Sequence, residues 1–110
     1  MLRESEIRFN YEKALSQAQL LSAAAEHIRS VVMCEFSGDI EQTSKAWKGE
    51  SADLFILKCR RLLDELRIAA ENYDKVAQLI SSNAKRTYDS EMRALMIARE
   101  RTFDGGGRLR

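Results

Sequence analysis

The chain predicts an all-α fold, an antiparallel two-helix hairpin with a Trp-x-Gly turn that dimerises into a four-helix bundle. Three observations lead there. Apolar residues recur alternately four and three apart through both halves, no proline interrupts either half, and Trp47-Lys48-Gly49 stands almost at the midpoint of the 110 residues. A composition of 45% hydrophobic and 32% charged residues at this length describes one helical domain. We place it at residues 1–104, with helix 1 over about 5–45, the turn over about 46–50, helix 2 over about 51–101, and a flexible tail at 105–110.

In the first half, Ile7, Tyr11, Ala14, Ala18, Leu21, Ala25, Ile28 and Val32 fall on one helical face, whereas a strand would alternate by two. Phe36, Ile40, Thr43 and Trp47 continue the spacing past Gly38, so the helix is expected to run, bent or straight, almost to the turn. At the turn, Gly49 supplies a residue able to take positive φ, Ser51 is placed to cap the first free amides of helix 2, and Asp53 favours its positive end. Beyond it, Ala52, Phe55, Cys59, Leu62, Leu66, Ala69, Tyr73, Val76 and Ile80 repeat the stripe over about four heptads. Two helices of about 45 Å joined by so short a turn must lie back to back.

The apolar surface exceeds what a lone hairpin can bury. Ile56, Leu63, Ala70, Ala77 and Ala84 widen the stripe of helix 2, while Leu15 and Phe36 on one flank, with Ala24 and Val31 on the other, widen helix 1. A stripe of about three positions in seven belongs to a helix with two neighbours, and one hairpin supplies only one. A second chain is therefore expected to complete a four-helix bundle through Tyr11, Leu15, Leu21, Ile28, Val32, Phe36, Phe55, Ile56, Leu62, Leu63, Leu66, Tyr73, Val76 and Ile80. An extended coiled coil, or a monomer that folds its tail back, is the plainer alternative.

Other chemistries find little support. A net charge of +1, with only Lys58, Arg60 and Arg61 clustered, argues against nucleic acid as partner. His27 is the single histidine and lies seven residues, about 10 Å of helical rise, from Cys34, too far for a nucleophile and its base. Two cysteines and one histidine fall short of a four-ligand zinc site. Cys34 lies off the apolar stripe and Cys59 on it, which favours free thiols over a disulfide. Carboxylates interleave with Lys and Arg as on a solvated helix face, and Gly105-Gly106-Gly107 lies too near the end for a phosphate loop. We therefore expect no catalytic residues, metal or cofactor. No stretch reaches the roughly 18 apolar residues of a membrane span, and the first residues carry no apolar signal-peptide core, so no stable membrane insertion and no signal-peptide export are expected.

The segment Ser44-Lys45-Ala46-Trp47-Lys48-Gly49-Glu50-Ser51-Ala52-Asp53-Leu54-Phe55 resembles the turn of the WXG family, the small helical hairpins of early-secretory-antigen type. The likeness covers roughly residues 5–90 and includes chain length, a central Trp-x-Gly, and a small-residue pair followed by an aromatic. It implies a homo- or heterodimer with a related WXG-type chain, handled by the membrane ATPase of a type VII (ESX-like) secretion system, cytoplasmic before export and then extracellular or at the cell surface. It also implies that Trp47 and Gly49 form part of a recognition surface for that machinery.

One departure matters. The Tyr-x-x-x-Asp/Glu element that completes the export signal in such proteins has no clean copy here, because Tyr88 is followed at the fourth position by Met92, with Glu91 one residue early. Either the spacing tolerates Glu91, or a partner chain supplies the signal, or the chain escorts a larger helical toxin or effector. The last reading draws on Tyr88, Met92, Leu95 and Met96, an apolar stripe among Arg86, Arg93, Arg99 and Arg101 able to dock on a partner helix. A cytoplasmic coiled-coil adaptor is the reading from a different class.

Overall fold

A computed structural model describes the backbone of residues 3–108 and the side chains of residues 3–102. The elements are α1 (Glu4–His27), a π-helical turn (Ile28–Val32), α2 (Met33–Ala46) and α3 (Glu50–Arg108), and no strand occurs among the described residues. The expected all-α class is what the chain adopts.

Helix 1 is not the uniform α-helix expected over 5–45. The covered positions run Ile7, Tyr11, Ala14, Ala18, Leu21, Ala25 and Ile28 in steps of three and four, then jump five to Met33 before Phe36 and Ile40. A regular helix cannot keep both sets on one face, because the extra residue rotates everything after it by about 100°. The π turn absorbs it: the amide of Met33 donates to the carbonyl of Ile28, five residues back. Val32, expected on the apolar face, is consequently rotated out and exposed, and Met33 takes the inward place. Two side chains bond to the same stretch, Ser30 Oγ donating to the Glu26 carbonyl at 2.8 Å and Cys34 Sγ to the Arg29 carbonyl at 3.5 Å. Gly38, where a bend was entertained, lies inside α2.

At the other end α3 continues beyond the expected stop at 101, through Gly105–Gly107 to Arg108. Glycine weakens a helix by about 1 kcal/mol but does not break its hydrogen-bond ladder as proline does. The tail expected at 105–110 is thus helical backbone as far as Arg108, while Leu109 and Arg110 lie outside the described residues.

Contacts group the chain into two units, one of residues 1–18 with 78–110 and one of residues 19–77. In the first, Glu4 meets Arg99 at 3.4 Å, and the rings of Tyr11 and Tyr88 lie 4.8 Å apart, so rising numbers on α1 face falling numbers on α3. Glu4 also accepts from Arg8 at 3.0 Å, and this bond, reinforced by Arg99, holds its carboxyl below the usual value. Ile7 and Ala18 are the buried apolar residues of this unit.

In the second unit, Arg29 pairs with Asp74, and Trp47 packs on Phe55 with ring centroids 5.7 Å apart. The enclosed residues are Ala25, Ile40, Ala52, Ala70 and Ala77. Four of the five are alanines, whose small side chains permit a close helix approach. This packing revises the expected stripe of α3. Ala52, Cys59 and Leu66 do face inward, joined by Ile56, Leu63, Ala70 and Ala77, which had been assigned to the flank, whereas Phe55, Leu62, Tyr73 and Val76 stay exposed. A neighbouring helix covers only part of a wide stripe, and it settles over the side where alanine lets it come nearest.

Candidate interaction surfaces

The connection between α2 and α3 spans residues 47–49. Trp47 ends α2 with an extended backbone (φ −118°, ψ 120°) while its amide still donates to Thr43 at 2.8 Å. Lys48 Nζ donates to the Ser44 carbonyl at 2.7 Å, placing a cation on the negative end of α2. Gly49, at φ +122°, accepts from the Asp53 amide at 3.0 Å and so occupies the cap position of α3. Ser51, expected to cap, lies within the first helical turn instead, beside the first-turn acids Glu50 and Asp53.

Any side chain at Gly49 would force a conformation that L-residues disfavour, although an added Cβ meets nothing within 4 Å there or at Gly38. The two glycines should therefore respond oppositely. Gly49→Val is expected to lower the unfolding free energy by about 1–3 kcal/mol through backbone strain alone, and Gly38→Ala to raise it by about 0.5–1 kcal/mol through helix propensity. Urea titrations followed by circular dichroism would report both.

Trp47 is 46% exposed and Phe55 48% exposed even though their rings touch, so the tip of the second unit presents an aromatic pair to solvent. Along α3 in that unit, Leu62, Tyr73 and Val76 continue from Phe55 as an exposed apolar seam beside the inward row. The spacings of seven, eleven and three residues keep them on one side of the helix. Leu54, Leu57, Ile68 and Leu79 are exposed toward its back.

The remaining site residues expected from sequence are distributed as follows. Tyr11, Leu15, Leu21, Ile28, Phe36, Ile56, Leu63, Leu66 and Ile80 are half-buried on the inward faces of their own units. Tyr88, Glu91, Met92 and Leu95 are half-buried on α3, next to exposed Met96 and Ile97. His27 and Cys34 are exposed, Cys59 is half-buried, and both thiols are free.

Sequence reasoning missed a groove in the first unit, of about 360 Å³, walled by Ile7, Tyr11 and Ala14 from α1 and by Ile80, Ala84 and Tyr88 from α3. Asn10, Asn83, Thr87 and Glu91 supply its polar rim. The small residues Ala14 and Ala84 at related helical positions were the available signal. Among the described residues, no helix is long and apolar enough to cross a membrane, and no group of three acidic, cysteine or histidine side chains could hold a metal.

Neither protein-family models, nor curated proteins, nor solved structures yield a match to this chain.

Proposed function

We propose that the chain is an antiparallel helical hairpin that pairs through α3 with itself or a related WXG-type chain into a four-helix bundle, and that it serves as a substrate or targeting partner of a type VII (ESX-like) secretion system. The observation that carries the pairing is the uncovered seam of Phe55, Leu62, Tyr73 and Val76 running beside a row that is already covered. A helix apolar on two adjacent sides is built for two neighbours. The secretion half of the reading rests on the Trp-x-Gly resemblance. It is supported by the exposed Trp47–Phe55 pair next to a Gly49 whose φ other residues adopt only with strain. The role is one of protein–protein association, not catalysis.

The test is an immunoblot of culture medium and lysate in the native host, with and without its type VII ATPase, for wild type and Trp47→Ala, beside a cytoplasmic lysis marker. The expected result is protein in the medium that disappears with either lesion while the lysate pool persists. Protein confined to the lysate in every strain would overturn the substrate reading. A second reading then takes its place, a cytoplasmic adaptor or chaperone for a larger helical partner such as a type VII toxin. It is favoured by the exposed Met96 and Ile97 beside Met92 and Leu95 on α3, since methionine-rich helix faces adapt to varied partners.

A further inference from the structure

Within the second unit, the seam of α3 has a polar edge with an order of its own. Phe55, Leu62, Ala69 and Val76 follow one another at seven-residue steps, and Ser51, Lys58, Glu65 and Asn72 do the same. Each member of the second row stands four residues before one of the first, so the two rows are neighbours on the helix surface. The polar row lies on the side away from the enclosed Ala52, Ala70 and Ala77, and all four of its residues are exposed. Arg67 and Lys85 of the same helix pair with acids four residues on, at 2.9 and 3.0 Å, but Lys58 and Glu65 join no ion pair among the described residues. Arg61, about 100° round the helix from Leu62, points toward the back of α3.

We infer that the occupant of the seam is a second copy of this chain, laid antiparallel along α3 with the two-fold axis beside Leu62. The inference rests on the pairing through α3 proposed above and names the partner and its register. A symmetric pair must be complementary to itself, and the polar row is complementary to its own reverse. Turned end for end, it sets Lys58 opposite Glu65 of the second copy and Ser51 opposite Asn72, each twice. The same placement brings Leu62 against Leu62 of the second copy and Phe55 against its Ala69, a large side chain over a small one. A slip of one heptad either way would set Glu65 against Glu65 or Lys58 against Lys58, so like charges count against the neighbouring registers. A parallel copy would bring the polar row against the covered face of α3 instead.

The test is sedimentation equilibrium of the full chain over a concentration series for wild type, Lys58→Glu, Glu65→Lys, the variant carrying both changes, and an equimolar mixture of the two single variants. Each single variant alone sets like charges face to face on both sides of the axis, and its dissociation constant is expected to rise about tenfold. The double variant and the mixture restore opposite charges at both places and are expected to return to the wild-type value. Because both residues are exposed, the helical circular dichroism signal should be the same in every sample. Single variants that associate as tightly as wild type would overturn the register, as would a double variant no tighter than the singles. Wild type that stays monomeric at every concentration would overturn self-pairing itself, whereas a dimer indifferent to these charges overturns the register alone.

Discussion

Replacing Leu62 and Val76 together by glutamate is expected to halve the molar mass measured by light scattering at micromolar concentration, with the helical circular dichroism signal retained. Leu62 is 48% and Val76 45% exposed, so each buries only about half of its surface within its own unit. Both stand in the seam through which a second chain would be bound. Covering the exposed portions of Phe55, Leu62, Tyr73 and Val76 on two chains yields on the order of 6–12 kcal/mol of gross apolar stabilisation. Association itself costs roughly 4–15 kcal/mol, so such a pair would be held by a small surplus. Two glutamates per chain remove about half of the gain and set four carboxylates against an apolar seam. Leu54→Glu with Leu79→Glu, on the back of the same helix, changes more exposed apolar surface and should leave the mass unaltered. If the back-face variant dissociates equally, the seam is not the interface; if wild type is monomeric at every concentration, pairing with itself is excluded and a related chain becomes the partner to seek.

A second large effect is expected at Ala70, and its neighbour Ala69 is the control. Ala70 is wholly buried at a close helix approach, so Ala70→Leu inserts three carbon atoms where no space exists. Overpacking of this kind costs about 1–3 kcal/mol. For a domain of this size that lowers Tm by roughly 5–20 °C in a thermal melt. Ala69 is only half-buried, beside the exposed seam, and Ala69→Leu should change Tm by no more than about 3 °C, within the range of ordinary surface substitutions. The two variants have identical composition and helix propensity, so a difference between them isolates which of two adjacent rows is packed. Equal melts would mean that α3 is rotated from the orientation described.

That pair of alanines also marks how far the residues alone could be followed. The spacing of apolar positions by three and four was sufficient for both helices, because a 3.5-residue repeat cannot form a strand face. The chain break was legible too, since Trp47-Lys48-Gly49 is the one place where that repeat, a glycine and an acidic first turn coincide. Which side of α3 turns inward was not legible. Ala69 and Ala70 differ by one step, both rows are apolar, and hydrophobicity favours the larger Phe55, Leu62, Tyr73 and Val76 over the alanines that are actually enclosed. Packing reverses that preference, because close approach depends on small volume more than on residue hydrophobicity.

The groove illustrates the same limit. Glu91 was noticed only as a misplaced acid after Tyr88, and nothing in its sequence neighbourhood signals that it lines a groove with residues of α1 or that one of its oxygens is buried. Cys34 and Cys59 were read as free thiols from their different faces, and they are free.

By itself, then, the sequence determined that this is an all-helical chain broken at Trp47–Gly49, because helical periodicity and the loss of it are properties of neighbours along the chain. The tertiary structure alone decided three things: the π turn at Ile28–Val32, the inward rotation of the alanine row of α3, and the carboxylate-rimmed groove. Each of these depends on the fit between residues remote in sequence. Local preference is nearly indifferent between one helical register and the next, so the contact of one helix surface with another makes the choice.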